Sequence, residues 1–246
     1  MKLSRKFILF LIILVVAFIL AFNTIENFNH LEKIDYYVIT MRPEDRLKNI
    51  DLQQSKMRKN AANIKIEYVD AVVGKDMDID KMKESGKLIP REVKSFSASI
   101  KNELGCYLSH MKAYEMIAAK RKPGFSVIFE DDFDLEDGFV EKLEESTEIL
   151  NAIDFDFCFL GMLNGKGGEH LKGDIYRIPK EGDMWETHAY LVKNENIPKI
   201  MTALTPITDL IDVAIFNKGK SRELNVYTLQ PIIVSQGGFG SSIMTE

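Results

Sequence analysis

Phe125-Ser126-Val127-Ile128-Phe129 runs directly into Glu130-Asp131-Asp132, and this octapeptide decides the fold. Pro123-Gly124 breaks the chain just before it. A short, mostly apolar run rich in aromatic and β-branched residues reads as a buried strand. The three acids should then emerge at its carboxyl end. In extended chain, residues two apart face the same way, so Glu130 and Asp132 converge and Asp131 points elsewhere. Two hard oxygen ligands with open positions suit Mn²⁺ or Mg²⁺ held partly by phosphate oxygens. The same triplet, continued by Asp134, Glu136 and Asp137, also reads as a solvated acidic turn.

Outward from this strand the pattern alternates. Asp35 to Met41 (DYYVITM) is a strand by composition, and Glu44 to Asn60 follows as a helix. Asn63 to Val73 is a second strand, ended by Gly74. Asn102 to Lys120 has a helical pattern, with Leu104, Leu108, Met111, Glu115 and Ala118 at three- and four-residue steps. After the acidic triplet come a helix from about Asp137 to Leu150 and a strand at Phe155 to Leu160. Strands alternating with helices predict an α/β fold with a mostly parallel sheet. Ligands bind such sheets beyond the carboxyl ends of the strands.

The amino terminus has a different character. Phe7 to Phe22 is an unbroken apolar run preceded by Lys2, Arg5 and Lys6. As a helix it spans about 24 Å at ~1.5 Å per residue, short for an average bilayer and closer to a thin one. No small-x-small cleavage site follows it, so residues 1–22 read as a cytoplasmic tail and an uncleaved transmembrane anchor. The basic residues keep the amino terminus cytoplasmic, a type II arrangement with the rest of the chain on the lumenal or non-cytoplasmic side. Residues 23–32 read as a polar stem. Residues 33–246 contain no linker, repeat or low-complexity tract, and read as one domain.

The chain has 246 residues, 46% of them hydrophobic, enough for a full core. Its net charge is −5, and beyond the basic tail the remainder is more acidic still. Such a domain is a poor general binder of nucleic acid. It suits an anionic ligand when a divalent cation bridges the two. Two cysteines, Cys106 and Cys158, make no disulfide framework. No P-loop, GxGxxG, CxxC, HExxH or GxSxG is present. Four scattered histidines argue against a zinc site. Gly165-Lys166-Gly167-Gly168 reads as a loop rather than a phosphate cradle.

Three further stretches carry polar chemistry. Tyr37 to Arg46 (YVITMRPEDR) ends a strand in a basic loop that opens a helix. Arg42 and Arg46 there read as partners of phosphates or of a carboxylate, or as ordinary surface arginines around a helix start. Glu103 to His110 (ELGCYLSH) places Gly105 inside a helix, where it costs on the order of 1 kcal/mol against Ala, and close backbone approach is one reason to accept that. His110 reads as a ligand contact or as a satisfied, partly buried histidine. In Thr205 to Val213 (TPITDLIDV), Asp209 and Asp212 each read as a general base or a helix cap, with the cap favoured for Asp209.

In this order and spacing the motifs resemble glycosyltransferase family 25, which includes bacterial lipooligosaccharide galactosyltransferases and procollagen galactosyltransferases. The resemblance runs from Tyr37 to Ile243. It is carried by YVITMRPEDR, Asp70 to Gly74, ELGCYLSH, VIFEDD, Thr187 to Leu191, Ile211-Asp212 and Leu229 to Pro231. The GC-x-x-SH and EDD blocks are the specific part. Thr40-Met41 stands where the family usually has Asn-Leu.

The resemblance implies a GT-A-like, Rossmann-type sandwich that moves a hexose, commonly galactose, from a nucleotide-diphospho-sugar with inversion. The donor would be UDP-galactose or UDP-glucose, and the acceptor a glycan or protein. It implies Glu130 and Asp132 as metal ligands. Thr40, Arg42, Arg46, Gly74, His110 and Asp131 fall on the donor side, and Asp212 is the late aspartate that acts as base. Two alternatives differ in class. A metal-dependent phosphohydrolase needs several separated carboxylates or histidines, and only one acidic strand end is visible. A non-catalytic sugar-binding protein on the same fold is separated only by assay.

Overall fold

The computed structural model describes residues 13–15, 34–59, 63–89, 100–163, 167–182 and 185–238. Of the apolar run Phe7 to Phe22, only Ile13, Leu14 and Val15 fall within them; these are helical and exposed. The rest of the expected anchor and the expected stem lie outside the described residues. Among those described, no helix is long and apolar enough to cross a membrane.

The strands, in chain order, are β1 (Asp35–Thr40), β2 (Ile66–Asp70), β3 (Phe125–Glu130), β4 (Phe133–Leu135) and β5 (Phe157–Leu163), then β6 (Glu169–Lys172), β7 (Ile175–Arg177), β8 (Trp185–Lys193), β9 (Val226–Leu229) and β10 (Val234–Gln236). The helices are α1 (Glu44–Arg58), α2 (Ile79–Glu84), α3 (Ile100–Lys120), α4 (Phe139–Asn151), α5 (Ile197–Ala203) and α6 (Ile211–Lys220). Eight strands form one sheet in the order β2-β1-β3-β8-β5-β9-β7-β6, while β4 and β10 pair separately.

Three ladders, β1–β2, β1–β3 and β5–β9, are parallel; the other four are antiparallel. Traced across these ladders, six of the eight strands point the same way, and only β8 and β7 are reversed. The mostly parallel direction expected from the sequence is present. The reversed β8 between β3 and β5 was not legible, because nothing in its local pattern reports which neighbours it will have.

Strand alternation builds both cores. Tyr36, Val38, Val127, Phe129, Cys158 and Leu160 face one side and pack with Ile50 and Met57 of α1 and Leu143 of α4. Tyr37, Ile39, Ile128, Phe157, Phe159 and Tyr190 face the other and pack with Leu104, Tyr107 and Tyr114 of α3. The result is a three-layer α/β/α sandwich. Fully burying each such side chain stabilises the fold by about 1.5–3 kcal/mol before entropy is counted.

The sequence pattern of α3 weighted Leu108 and Met111, but these only pack partly against the core, while Tyr107, His110 and Tyr114 are buried. The polar ends of those rings find partners, which lets them occupy the inner stripe. In α1, Pro43 occupies the N-cap position, Glu44 and Asp45 lie in the first turn, and Lys56 and Arg58 lie in the last. This arrangement complements the helix dipole. Its buried stripe is Arg46, Ile50, Gln53 and Met57, so an arginine enters the interior beneath the end of β3.

Candidate active site

A cleft of about 350 Å³ opens at the carboxyl ends of β1 and β3, between the loop after β2 and the amino-terminal half of α3. The GC-x-x-SH block builds one wall. Gly105 lies against the β2 loop so closely that a Cβ there would meet Val72 O at 2.7 Å and Gly74 N at 3.1 Å. Close backbone approach is therefore the reason for glycine at this helical position. Ser109 Oγ donates to Gly105 O at 2.7 Å and accepts from Val72 N–H at 2.8 Å, tying loop to helix. Gly74 lines the cleft, and a Cβ on it would run into the Lys101 carbonyl.

Glu130, the last residue of β3, faces the cleft floor. Its Oε1 accepts from Thr187 Oγ1 at 2.6 Å and lies 3.3 Å from His110 Nε2. His110 is fully buried, its Nδ1 lies 2.7 Å from Tyr190 OH, and Tyr190 OH lies 2.9 Å from Tyr114 OH. His110 is thus a satisfied histidine that also forms the floor of the cleft. Burial pushes the Glu130 carboxyl up, but His110, Thr187 and the His188 charge outweigh it, and it titrates below the usual range.

The chain turns immediately after Glu130. The extended-chain rule therefore fails across the triplet, and Asp131 does not point away: it lines the cleft with Glu130. Asp131 is hydrogen-bonded to Thr40, whose Oγ1 also accepts from Arg42 N–H at 2.8 Å. Asp132 is 6% exposed and accepts from Gln236 Nε2 at 3.0 Å on Oδ2. Burial pushes both carboxyls up, only partly offset by Thr40 and Arg46 for Asp131 and by Gln236 and Arg46 for Asp132. Asp132 Oδ1 is buried without a hydrogen-bond partner. An orphaned carboxylate oxygen beside two cleft carboxylates fits a hard divalent cation.

Both arginines pair with carboxylates. Arg46 is 5% exposed and lies 3.6 Å from Asp131 and 3.5 Å from Asp132. It braces the acidic turn from inside, because its helix position aims it at the core. Arg42, at φ 61°, pairs with Asp70 Oδ1 at 2.7 Å and lies over the Tyr68 ring. Thr40 and Gly74 remain at the cleft.

Asp212 sits in the first turn of α6. Its carboxylate accepts from Glu186 N–H at 3.1 Å and from Val213 N–H at 2.7 Å. Burial pushes it above the usual range against those two bonds, and Glu130 adds to the shift, so the two carboxylates feel each other. Glu186 is held at φ 80°, a costly conformation for a side-chain-bearing residue. Its carboxylate lies 3.2 Å from His188 Nδ1. Burial lowers His188, but Glu186 and the Val234 carbonyl outweigh it and raise its pKa. Asp209 does not cap α6. The cap residue is Leu210, without a side-chain bond, and Asp209 is buried beside Thr208 in a separate cavity.

Glu186, Thr187, Tyr190 and Gln236 had no role assigned from sequence. Thr187 to Leu191 marked the family pattern, but its contacts depend on where β8 lies in the sheet. The fold also brings Cys106 Sγ, a His110 ring nitrogen and a Glu130 oxygen within 4.8 Å of one another.

These features define an α/β domain with an acidic ligand cleft at its strand ends. Residues 33–164 match glycosyltransferase family 25, described as an LPS biosynthesis protein family, and the chain belongs to that family. A Xenopus laevis protein named procollagen galactosyltransferase 1-A is 27% identical over 177 residues, covering 68% of this chain and 28% of its own length. A Rattus norvegicus protein named probable inactive glycosyltransferase 25 family member 3 is 34% identical over 192 residues, covering 70% of this chain and 33% of its own. The chain thus spans about a third of the length of these curated relatives. Among solved structures, A197 from STIV is 16% identical with a TM-score of 0.42, covering 85% of this chain and 86% of that one.

Proposed function

We propose that this domain transfers a hexose, from UDP-galactose or UDP-glucose, to a hydroxyl of a glycan or protein, with inversion in a single displacement. The observation that carries this reading is the pairing of Glu130 at the cleft floor with Asp212 at the start of α6. One carboxylate is held ionised by His110 and Thr187; the other is raised by burial and fixed by two backbone N–H groups. A base with a raised pKa and a fixed orientation suits deprotonation of a hydroxyl.

Glu130 and Asp132, with Asp131 at the cleft, would hold Mn²⁺ or Mg²⁺. Bound there, the ion would supply charge neutralisation for a departing diphosphate. Thr40 orients Asp131, Arg46 steadies the turn, and Gly74 and Gly105 let the loop after β2 pack against α3 closely enough to wall the cleft. Asp212 takes the acceptor proton while the sugar–phosphate bond breaks.

The domain organisation follows the same reading, with a cytoplasmic tail and anchor at 1–22, a stem at 23–32 and the transferase at 33–246. This is a type II arrangement, supported by the basic residues before the apolar run. A screen of UDP-sugars with and without Mn²⁺, reading UDP release, tests the activity. Metal-dependent release in the presence of an acceptor is expected. No release with any donor would sink the reading and favour a non-catalytic family member, as the rat relative is named.

A further inference from the structure

The cleft floor contains a donor set of which the transfer reading uses only Glu130 as a metal ligand. Cys106 and His110 are four residues apart on α3, so both project from one face of the helix. Across from them stands Glu130. One ligand atom from each of the three lies within 4.8 Å of the others, and His110 Nε2 is 3.3 Å from Glu130 Oε1. In a tetrahedral zinc site with bonds of about 2.0–2.3 Å, ligand atoms are separated by roughly 3.3–3.6 Å. The nitrogen–oxygen edge is already at that separation, and Cys106 lines the same cleft.

We propose that Cys106 Sγ, His110 Nε2 and Glu130 form a three-ligand Zn²⁺ site, its fourth position open to the cleft, and that zinc binding there switches the cleft off. A thiolate–imidazole–carboxylate set favours Zn²⁺ over Mn²⁺ and Mg²⁺, which prefer oxygen. The imidazole is also held through its other nitrogen. Tyr190 OH meets His110 Nδ1 at 2.7 Å and orients the ring so that Nε2 faces Glu130.

Without metal the Cys106 thiol keeps its proton, because burial and the charges of Glu130, Asp212 and Asp132 disfavour the thiolate. Binding therefore forms the zinc–sulfur bond and releases one proton per ion. Glu130 cannot serve this ion and the transfer metal at once, which makes the two mutually exclusive. Metal binding stands on the geometry alone; the inhibition rests on the glycosyl-transfer reading.

Cobalt titration of the metal-free full chain tests the site. One equivalent of Co²⁺ should give a near-ultraviolet thiolate-to-cobalt charge-transfer band that Zn²⁺ abolishes and Mn²⁺ at the same concentration does not. Cys106→Ser should lose the band, and Cys158→Ser, in the buried thiol of β5, should keep it. Should Cys106→Ser fail to fold, Tyr190→Phe, which leaves all three ligands in place, should weaken Zn²⁺ binding by about 10–100-fold.

A missing band in the parent chain, a band that survives Cys106→Ser, or unchanged zinc affinity in Tyr190→Phe overturns the site. In the UDP-release assay, Zn²⁺ should inhibit the Mn²⁺-supported rate of the parent but not of Cys106→Ser, each relative to its own zinc-free rate. Normal cobalt spectra with no inhibition overturn the switch. Normal spectra with no UDP release from any donor overturn the transferase reading and leave the zinc site standing.

Discussion

The two walls of the cleft are built by different means. On the α3 wall, backbone meets backbone: Gly105 against Val72, Ser109 bridging both, and Gly74 against Lys101. The charged groups that help are lysines donating to backbone carbonyls, Lys101 to Lys75 O at 2.9 Å and Lys112 to Asp70 O at 2.8 Å. On the wall formed by β8 and α6, charged and strained groups meet: Glu186 against Asp212 and His188, and Thr187 against Glu130. The first wall sets shape, so damage to it should be read as stability. The second sets charge, so damage should be read as rate and pH dependence.

Asp212→Asn tests the second wall most severely. It should slow transfer by about 10²–10⁴-fold, the span typical of a lost general base, while donor KM and the urea midpoint stay near the parental values. A parental transfer rate would move the base elsewhere. Asp132→Asn should lower metal-supported UDP release by about 10²–10³-fold, comparable to losing a preorganised electrostatic contact. Retention of the parental rate in the folded variant would remove Asp132 from the metal.

On the first wall, Gly105→Ala forces a methyl group against Val72 O. Overpacking of this kind costs about 1–3 kcal/mol, to be read by urea unfolding. A fall in rate with stability intact would break the division between the walls.

The smaller effects concern protons. Because burial raises Asp212, the rate should fall as pH drops through a value above the ordinary carboxylate range. An acid limb at or below about pH 4, the unperturbed value, would contradict its role. His188 has a raised folded pKa, so its contribution to stability is complete below the unfolded histidine value near 6.5. That contribution is lost as pH rises through the folded pKa. The stability gap between the parent and His188→Gln should narrow on going from acid to alkaline buffer; a constant gap would mean the Glu186–His188 pair carries no linkage.

Much of the site was readable locally. The strand Phe125–Glu130 is legible because a short, mostly apolar run rich in aromatic and β-branched residues stops at the acids. Gly105 was suspect because glycine in a helix needs a reason. What failed were inferences that carried a local rule past its range. Strand alternation was extended through Glu130 to Asp132, but the chain turns there so that β4 can pair with β10, which turns Asp131 into the cleft. For Arg46 the local pattern leaves phosphate and carboxylate partners open; its place on the inner stripe of α1 sends it to the acids from below. Asp209 resembled a cap, yet α6 starts after Leu210.

By itself the sequence determined the alternation of strands and helices, the placement of Glu130-Asp131-Asp132 at a strand end, and the family. All of these are written in short-range periodicity and contiguous motifs. Only the tertiary structure decided that a reversed β8 lies beside β3, bringing Thr187 to Glu130 across 57 residues and Tyr190 to His110 across 80. It also decided that Cys106, His110 and Glu130 share one floor, where scattered histidines had argued against zinc. The physical reason is that sheet order is settled by which apolar faces bury one another, a choice made over the whole chain that no local spacing records.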